Sequence, residues 1–288
     1  MVTLSPNDVL TKEVLSWRGL HLLHYRHSSC SQKCRIVIRL KGAPCTFHHV
    51  NLARKQNQTP WFMGVNPRGL VPVLVHDGAV IIESNDIIDH IEETFPEPSL
   101  IPHGQTEIAA ALMAMEDELH FPLRMITMRY IVPTFLMQRS EAALAAYETT
   151  GSGQVGEKVD SQKQIELKFW RDLKDNKGVT NAQICDAIDQ LSAAFQALER
   201  RLHNATFLLG DDISVTDVAW FIYAHRLATA GYPMAGRHRL VWRWYKTLSA
   251  NPAFAAETRT PLPMRLVTLA LHCVQFLKGA SLRRVAGL

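Results

Sequence analysis

Asn66-Pro67-Arg68-Gly69-Leu70-Val71-Pro72-Val73-Leu74, followed by Asp77-Gly78, Ala79 to Ile82 and Glu83-Ser84, is the stretch that decides the fold of this 288-residue chain. Asp77-Gly78 between two apolar runs predicts a tight hairpin, and Glu83-Ser84 opens a helix. Upstream, an apolar strand from Leu20 to Tyr25 leads through Ser28-Ser29-Cys30-Ser31-Gln32-Lys33 into an amphipathic helix, and another strand follows from Cys45 to Val50. In chain order this is βαβ, a short irregular helix, then ββα. A hydroxyl or thiol at the corner near residue 28 faces unpaired N–H groups and the positive end of a helix dipole, which together stabilise a thiolate.

This order, with Val71-Pro72 before a strand and Glu83-Ser84 at the third helix, resembles the glutathione-binding, thioredoxin-like domain of the glutathione transferase superfamily. The resemblance implies a cis bond before Pro72, with Val71 offering backbone hydrogen bonds to the cysteinyl part of glutathione. It assigns the γ-glutamyl group to Glu83 and Ser84, the hydroxyl and N–H of Ser84 taking the carboxylate while Glu83 faces the ammonium. Two branches are similar in detail. Ser28-Ser29-Cys30-Ser31 before a basic helix resembles the zeta class, which includes glutathione-dependent isomerases, and Cys30 falls where glutathione-dependent reductive dehalogenases carry their cysteine. His27-Ser28, Ser31-Gln32-Lys33, Pro60 to Met63 and Asn85 to Phe95 resemble the ganglioside-induced differentiation-associated protein 1 family over a longer context.

From the resemblance follow the candidate residues: Ser28 as hydrogen-bond donor to the glutathione thiolate, Ser29 as a secondary donor, Cys30 as the alternative thiol-exchange residue, and Val71, Pro72, Glu83, Ser84 and Lys55 as the glutathione site. Ser28 is also a residue type suited to a plain N-cap, and Cys30 to packing beneath its helix. Leu70 departs from the family, which mostly has a polar residue there; Arg68, Lys55 or Gln56 are the substitutes at hand. Tyr25 belongs to the end of its strand. His48 and His49 alternate to opposite faces, so no metal site is expected of them. Arg35, Arg39 and Lys41 read as solvated charges.

With 47% hydrophobic residues and mean hydropathy near zero, the chain is of ordinary globular character and long enough for two cores. A formal net charge of +4 is too small to imply nucleic-acid binding. Five cysteines without metal-type spacing, and no secretory leader pattern, make the cytosol the expected location.

The expected organisation is a surface extension at 1–18, the α+β thioredoxin-like domain (βαβ-ββα) at 19–98, an all-α helical-bundle domain at 99–258 with an insertion around 140–180, and a basic amphipathic tail at 259–288. One long helix is expected from Ile108 to Arg139, kinked at Pro122 and broken near Pro133. Phe121, Met125, Met128 and Tyr130 on it are candidates for an apolar substrate wall, with ordinary core packing as the alternative. Ser214-Val215-Thr216-Asp217 is a structural capping box. In the tail, Met264 to Lys278 predicts a helix with Arg265, Thr268, His272 and Gln275 on one stripe, too short to span a bilayer. Its apolar face is expected to fold back over the helical domain, weak contact with a membrane surface being the alternative. The function expected from the resemblance is attack of a glutathione thiolate on a small apolar electrophile by a homodimeric enzyme, with glutathione as co-substrate and no metal. Cys30-dependent thiol exchange and a non-catalytic interaction protein are the alternatives.

Overall fold

The computed structural model describes residues 1–288, the side chain of Pro263 apart. The chain runs β1 (Val2–Leu4), β2 (Leu20–His24), α1 (Ser29–Lys41), β3 (Cys45–His49), α2 (Pro60–Val65), β4 (Val73–His76), β5 (Ala79–Ile82) and α3 (Ser84–Thr94). It continues with α4 (Thr106–Glu118), α5 (His120–Tyr130), α6 (Glu141–Thr149), β6 (Gln154–Val155), β7 (Lys158–Val159), α7 (Gln162–Asp175) and α8 (Asn181–Arg201). The last helices are α9 (Val215–Thr229), α10 (Met234–Arg237), α11 (Arg239–Ala250), α12 (Pro252–Thr258), α13 (Leu262–Leu277) and α14 (Leu282–Val285). Two compact units result: residues 1–98 with 138–175, and residues 99–137 with 176–288.

The first unit is thioredoxin-like, a mixed sheet of order β1-β5-β4-β2-β3 in which only β2 and β3 run parallel. Leu22, Leu23, Val73, Leu74, Val75, Val80, Ile81 and Ile82 are all buried, so both faces of the central strands are covered and these strands read as apolar runs rather than alternations. The hairpin forms at Asp77-Gly78 as expected. A Cβ at Gly78 would lie 2.2 Å from the Leu15 carbonyl oxygen, and its φ of +85° independently favours glycine.

Residues 1–18 are not the surface extension expected. β1 pairs antiparallel with β5, Val9 and Val14 are completely buried, and the Leu10 and Thr11 N–H groups both donate to the Gly64 carbonyl. The physical reason is the free edge of β5, whose backbone groups β1 satisfies. Three residues of strand were too short for periodicity to show.

The insertion also lies elsewhere than expected, since 138–175 belongs to this first unit rather than to the helical one. Met63, Leu144, Tyr147 and Leu167 form a small core with Trp170 against it. The Asp8 carboxylate accepts from Gly156 N at 2.7 Å and caps the β6–β7 turn.

The second unit is helical. Instead of one helix from Ile108 to Arg139, α4 stops at Glu118 and α5 starts at His120. Pro122 explains the break, for its ring would clash with the carbonyl four residues back, that of Glu118. The buried α9 packs against α4 and α5. Its capping box is complete, and the buried Asp217 carboxylate also accepts from Leu208 N (2.9 Å) and Trp244 Nε1 (2.7 Å), joining α9 to α11. Trp244 and Leu248 are buried as a core helix requires, whereas Trp242 and Tyr245 are only half-buried.

The tail helix α13 reverses the expectation of a buried apolar face. None of its described residues is buried, and three of the four residues of the polar stripe, Thr268, His272 and Gln275, turn inward beside Leu271, while Arg265 is exposed. His272 Nε2 donates to the Tyr130 carbonyl at 3.2 Å and Gln275 Nε2 to that of Arg129 at 2.9 Å. These carbonyls end α5, where no intrahelical donor remains for them, and that need for partners selects the polar side.

Candidate glutathione site

Sheet register brings the three candidate segments together. Leu23 pairs with Val73 and Val73 with Ile82, so the turn leaving β2, the turn entering β4 and the turn leaving β5 lie side by side at one end of the sheet. Pro72 therefore adjoins the residues that follow Ile82, Glu83 and Ser84, and Ser28 caps the helix that follows the loop leaving β2 at the same end.

Ser28 is the N-cap of α1, and its Oγ accepts from Ser31 N at 3.2 Å. That bond uses a lone pair and leaves the hydroxyl proton able to donate elsewhere. Ser29 and Cys30 are the first two helical residues, both half-buried, in the turn where the dipole is felt. Cys34, one turn on, is completely buried with Sγ 3.6 Å from the Ser84 carbonyl. Burial pushes its thiol well above the ordinary value, so its role is to join α1 to α3. Burial likewise raises the Tyr25 phenol.

The charges on α1 need correction. Only Arg39 is exposed; Lys33, Arg35 and Lys41 are buried and partnered. Arg35 Nη1 lies 2.8 Å from His24 Nδ1, and its Nη2 donates to the Arg26 carbonyl at 2.8 Å, clamping the loop before Ser28. Lys33 Nζ donates to Asn85 Oδ1 at 2.9 Å, next to Ser84. Lys41 Nζ sits 2.6 Å from Glu92 Oε2 and donates to the Pro98 carbonyl at 2.7 Å.

The Val71–Pro72 bond is cis, with Pro72 buried and Val71 half-buried. The loop before it is braced on three sides: Asn66 Nδ2 donates to the Leu70 carbonyl (2.9 Å), Asn57 Nδ2 to that of Gly69 (2.7 Å) and Tyr147 Oη to that of Arg68 (2.6 Å). Glu83, the N-cap of α3, has a φ of +70°, a conformation costly for a residue with a Cβ. Ser84 is buried at the first position of α3.

Arg68 was one of three candidate substitutes for the polar group missing at Leu70, and it is already engaged. Its Nε and Nη2 grip the two oxygens of Asp160 at 2.9 and 2.8 Å, while Nη1 donates to Glu83 Oε1 at 2.5 Å. Burial opposes the charged guanidinium, but the Asp160 hydrogen bonds and the Glu83 charge outweigh it and hold its pKa above the ordinary value. Gln56 is exposed, and its Oε1 accepts from Asn51 N at 2.7 Å. Lys55, half-buried at a left-handed φ of 56°, is the third.

Of the expected substrate wall, Phe121 is 46% exposed and Met128 half-buried, while Met125 and Tyr130 are buried in the helical unit. Among the described residues no cluster of three or more His, Cys, Asp or Glu that could hold a metal is assembled. Asp160 escaped sequence reading, and Arg35, read as a solvated charge, is buried. Asp160 is 92 residues from Arg68, and no local pattern marks such a pair.

Comparison with known proteins agrees with this fold. The model of the glutathione S-transferase N-terminal domain matches residues 22–99 and that of the C-terminal domain matches residues 90–247. The chain is 27% identical over 237 residues to a zeta-class glutathione S-transferase of Euphorbia esula, covering 82% of this chain and 88% of that protein. It is 41% identical over 77 residues to human ganglioside-induced differentiation-associated protein 1-like 1, which is 27% of this chain and only 21% of the human protein. The fold is shared with the crystal structure of the β-etherase LigF from a Sphingobium species, with a TM-score of 0.67 at 20% identity over 83% of this chain and 98% of that one. The domain models, with the zeta-class likeness along most of the chain, identify the protein as a member of the glutathione S-transferase family.

Proposed function

We propose that the protein is a glutathione-dependent transferase in which Ser28 and the N-terminus of α1 hold the glutathione sulfur as thiolate. The observation that carries this reading is the sheet register that sets Ser28, cis-Pro72 and Ser84 at one end of the sheet. The backbone of Val71 would pair with the cysteinyl residue, Ser84 would take the γ-glutamyl carboxylate, and Lys55 is the cation available to the glycyl carboxylate. With the thiol pKa lowered, the thiolate forms a carbon–sulfur bond to a small apolar electrophile, and the displaced group leaves with the electron pair. Of the α5 residues expected to form an apolar wall, Phe121 is exposed and Met128 half-buried, while Met125 is committed to its core. A cytosolic homodimer is part of the same proposal.

Ser28→Ala is expected to lower the rate of conjugation to a chloronitrobenzene at least about tenfold and to weaken the ultraviolet absorbance of bound thiolate, while Cys30→Ala leaves both nearly intact. Full activity in Ser28→Ala, together with a glutathionylated Cys30 by mass spectrometry, would transfer the chemistry to thiol exchange at Cys30.

One observation favours a second reading, a protein that keeps the fold but binds glutathione weakly. Glu83, assigned to the ligand ammonium, already accepts from Arg68, and Leu70 provides no polar group. Calorimetry with glutathione separates the two.

A further inference from the structure

We infer that the outward face of α13 is a docking surface for anionic lipid. The helix is turned inside out relative to an ordinary surface helix. Its inward residues are Thr268, Leu271, His272 and Gln275, and its outward ones include Leu262, Leu266, Leu269, Cys273, Phe276 and Leu277. Leu269 is 60% exposed, Phe276 74% and Leu277 82%. The outward residues recur at intervals of three and four, so they form one continuous stripe.

Charge decides between the two surfaces that could cover such a stripe. Residues 259–288 contain Arg259, Arg265, Lys278, Arg283 and Arg284 and no aspartate or glutamate. All five are exposed, one before the helix, one within it and three beyond its end. Pairing of the stripe with a second copy would bring positive flanks together in either orientation, with no acid in the segment to offset them. A membrane surface bearing anionic headgroups accepts the apolar stripe at the acyl boundary and the flanking cations at the phosphates.

The helix would lie on the surface rather than cross it. At 16 residues it is about 24 Å long, short of the roughly 30 Å hydrocarbon core, and among the described residues no helix is long and apolar enough to span. Its inward bonds to the Tyr130 and Arg129 carbonyls hold the stripe outward before any lipid arrives, so binding needs no refolding of the tail.

The test is co-sedimentation of the full chain with vesicles of phosphatidylcholine alone and of phosphatidylcholine mixed with phosphatidylglycerol. The mixed vesicles should retain the protein, high salt should release it, and phosphatidylcholine alone should retain much less. The double variant Leu269→Asp/Phe276→Asp should lose about tenfold or more in vesicle affinity with an unchanged melting temperature, since both side chains project into solvent. Arg283→Gln/Arg284→Gln, which leaves the stripe intact, should lose severalfold. Failure of the wild-type chain to bind mixed vesicles would overturn the inference. So would a wild-type oligomer that the Leu269→Asp/Phe276→Asp variant dissociates, because the stripe would then be covered by a second copy.

Discussion

Replacing Asp160 by asparagine should loosen the 138–175 segment from the sheet it packs on. The Asp160 side chain is 8% exposed and that of Arg68 14%, so the pair exchanges little with water. Its two bonds, at 2.9 and 2.8 Å, are charge-assisted, a class in which each contributes about 1.5–3 kcal/mol. Removing one partner of a buried pair outright costs about 3–5 kcal/mol. Asparagine keeps one carbonyl oxygen and Arg68 keeps Glu83, so the expected loss lies below that range, near 2 kcal/mol. Hydrogen exchange followed by mass spectrometry reads this locally: amides of α6, β6, β7 and α7 that exchange by opening of the segment should do so roughly thirtyfold faster, the factor equivalent to 2 kcal/mol, while those of β2 and β4 stay unchanged. Unaltered exchange in 138–175 would refute the reasoning and leave the Asp8 cap and the Met63 core as the fastenings that matter.

Other outcomes follow from the same geometry. Arg68→Gln removes the internal counter-ion of Glu83 and should raise glutathione affinity about tenfold by calorimetry if Glu83 receives the ligand ammonium; an unchanged affinity removes Glu83 from that role. Ser84→Ala should weaken glutathione binding roughly ten- to a hundredfold with little change in melting temperature, the loss of one bond to a carboxylate. Lys41→Met removes the ammonium that lies 2.6 Å from the Glu92 carboxylate in a nearly dry site and should cost about 3 kcal/mol in urea unfolding. His225 is held neutral, its pKa pushed down to about 3 by burial and by Arg226. Between its ordinary value near 6.5 and 3 the unfolded chain binds a proton that the folded one refuses, so stability should fall as pH drops through that window, by up to about 1.4 kcal/mol per unit. His225→Gln should flatten that slope in urea midpoints measured against pH.

What was legible in the sequence was whatever a short stretch specifies by itself. The Asp77-Gly78 hairpin, the Ser214 to Asp217 capping box and the cis-proline loop depend on residues a few positions apart, and all three stand where expected. Lys41 and Arg35 were misread because a cation on a helix looks solvated until distant carbonyls and carboxylates close on it. For Lys41 the closing groups are Glu92 and Pro98, more than fifty residues on. The insertion was misplaced for the same reason, since its attachment lies in Asp160, Tyr147 and Asp8, each paired far away in sequence. The tail shows a different limit. Thr268, His272 and Gln275 of the expected polar stripe do share a side, though Arg265 is exposed and Leu271 joins them; periodicity says which residues share a face and not which face turns inward, and the carbonyls of Arg129 and Tyr130 at the end of α5 decide that.

The cysteines offer a practical consequence. Among the described residues Cys273 is the one exposed cysteine, while burial pushes Cys34 far up and Cys45 up to about 11, leaving both slow to alkylate near neutral pH. A polarity-sensitive maleimide dye added briefly at low excess should therefore enrich on the outer stripe of α13, with peptide mapping to measure any competing label at Cys30 or Cys185. The natural chain thus carries its own fluorescent reporting position, at the centre of the surface whose occupant is in question.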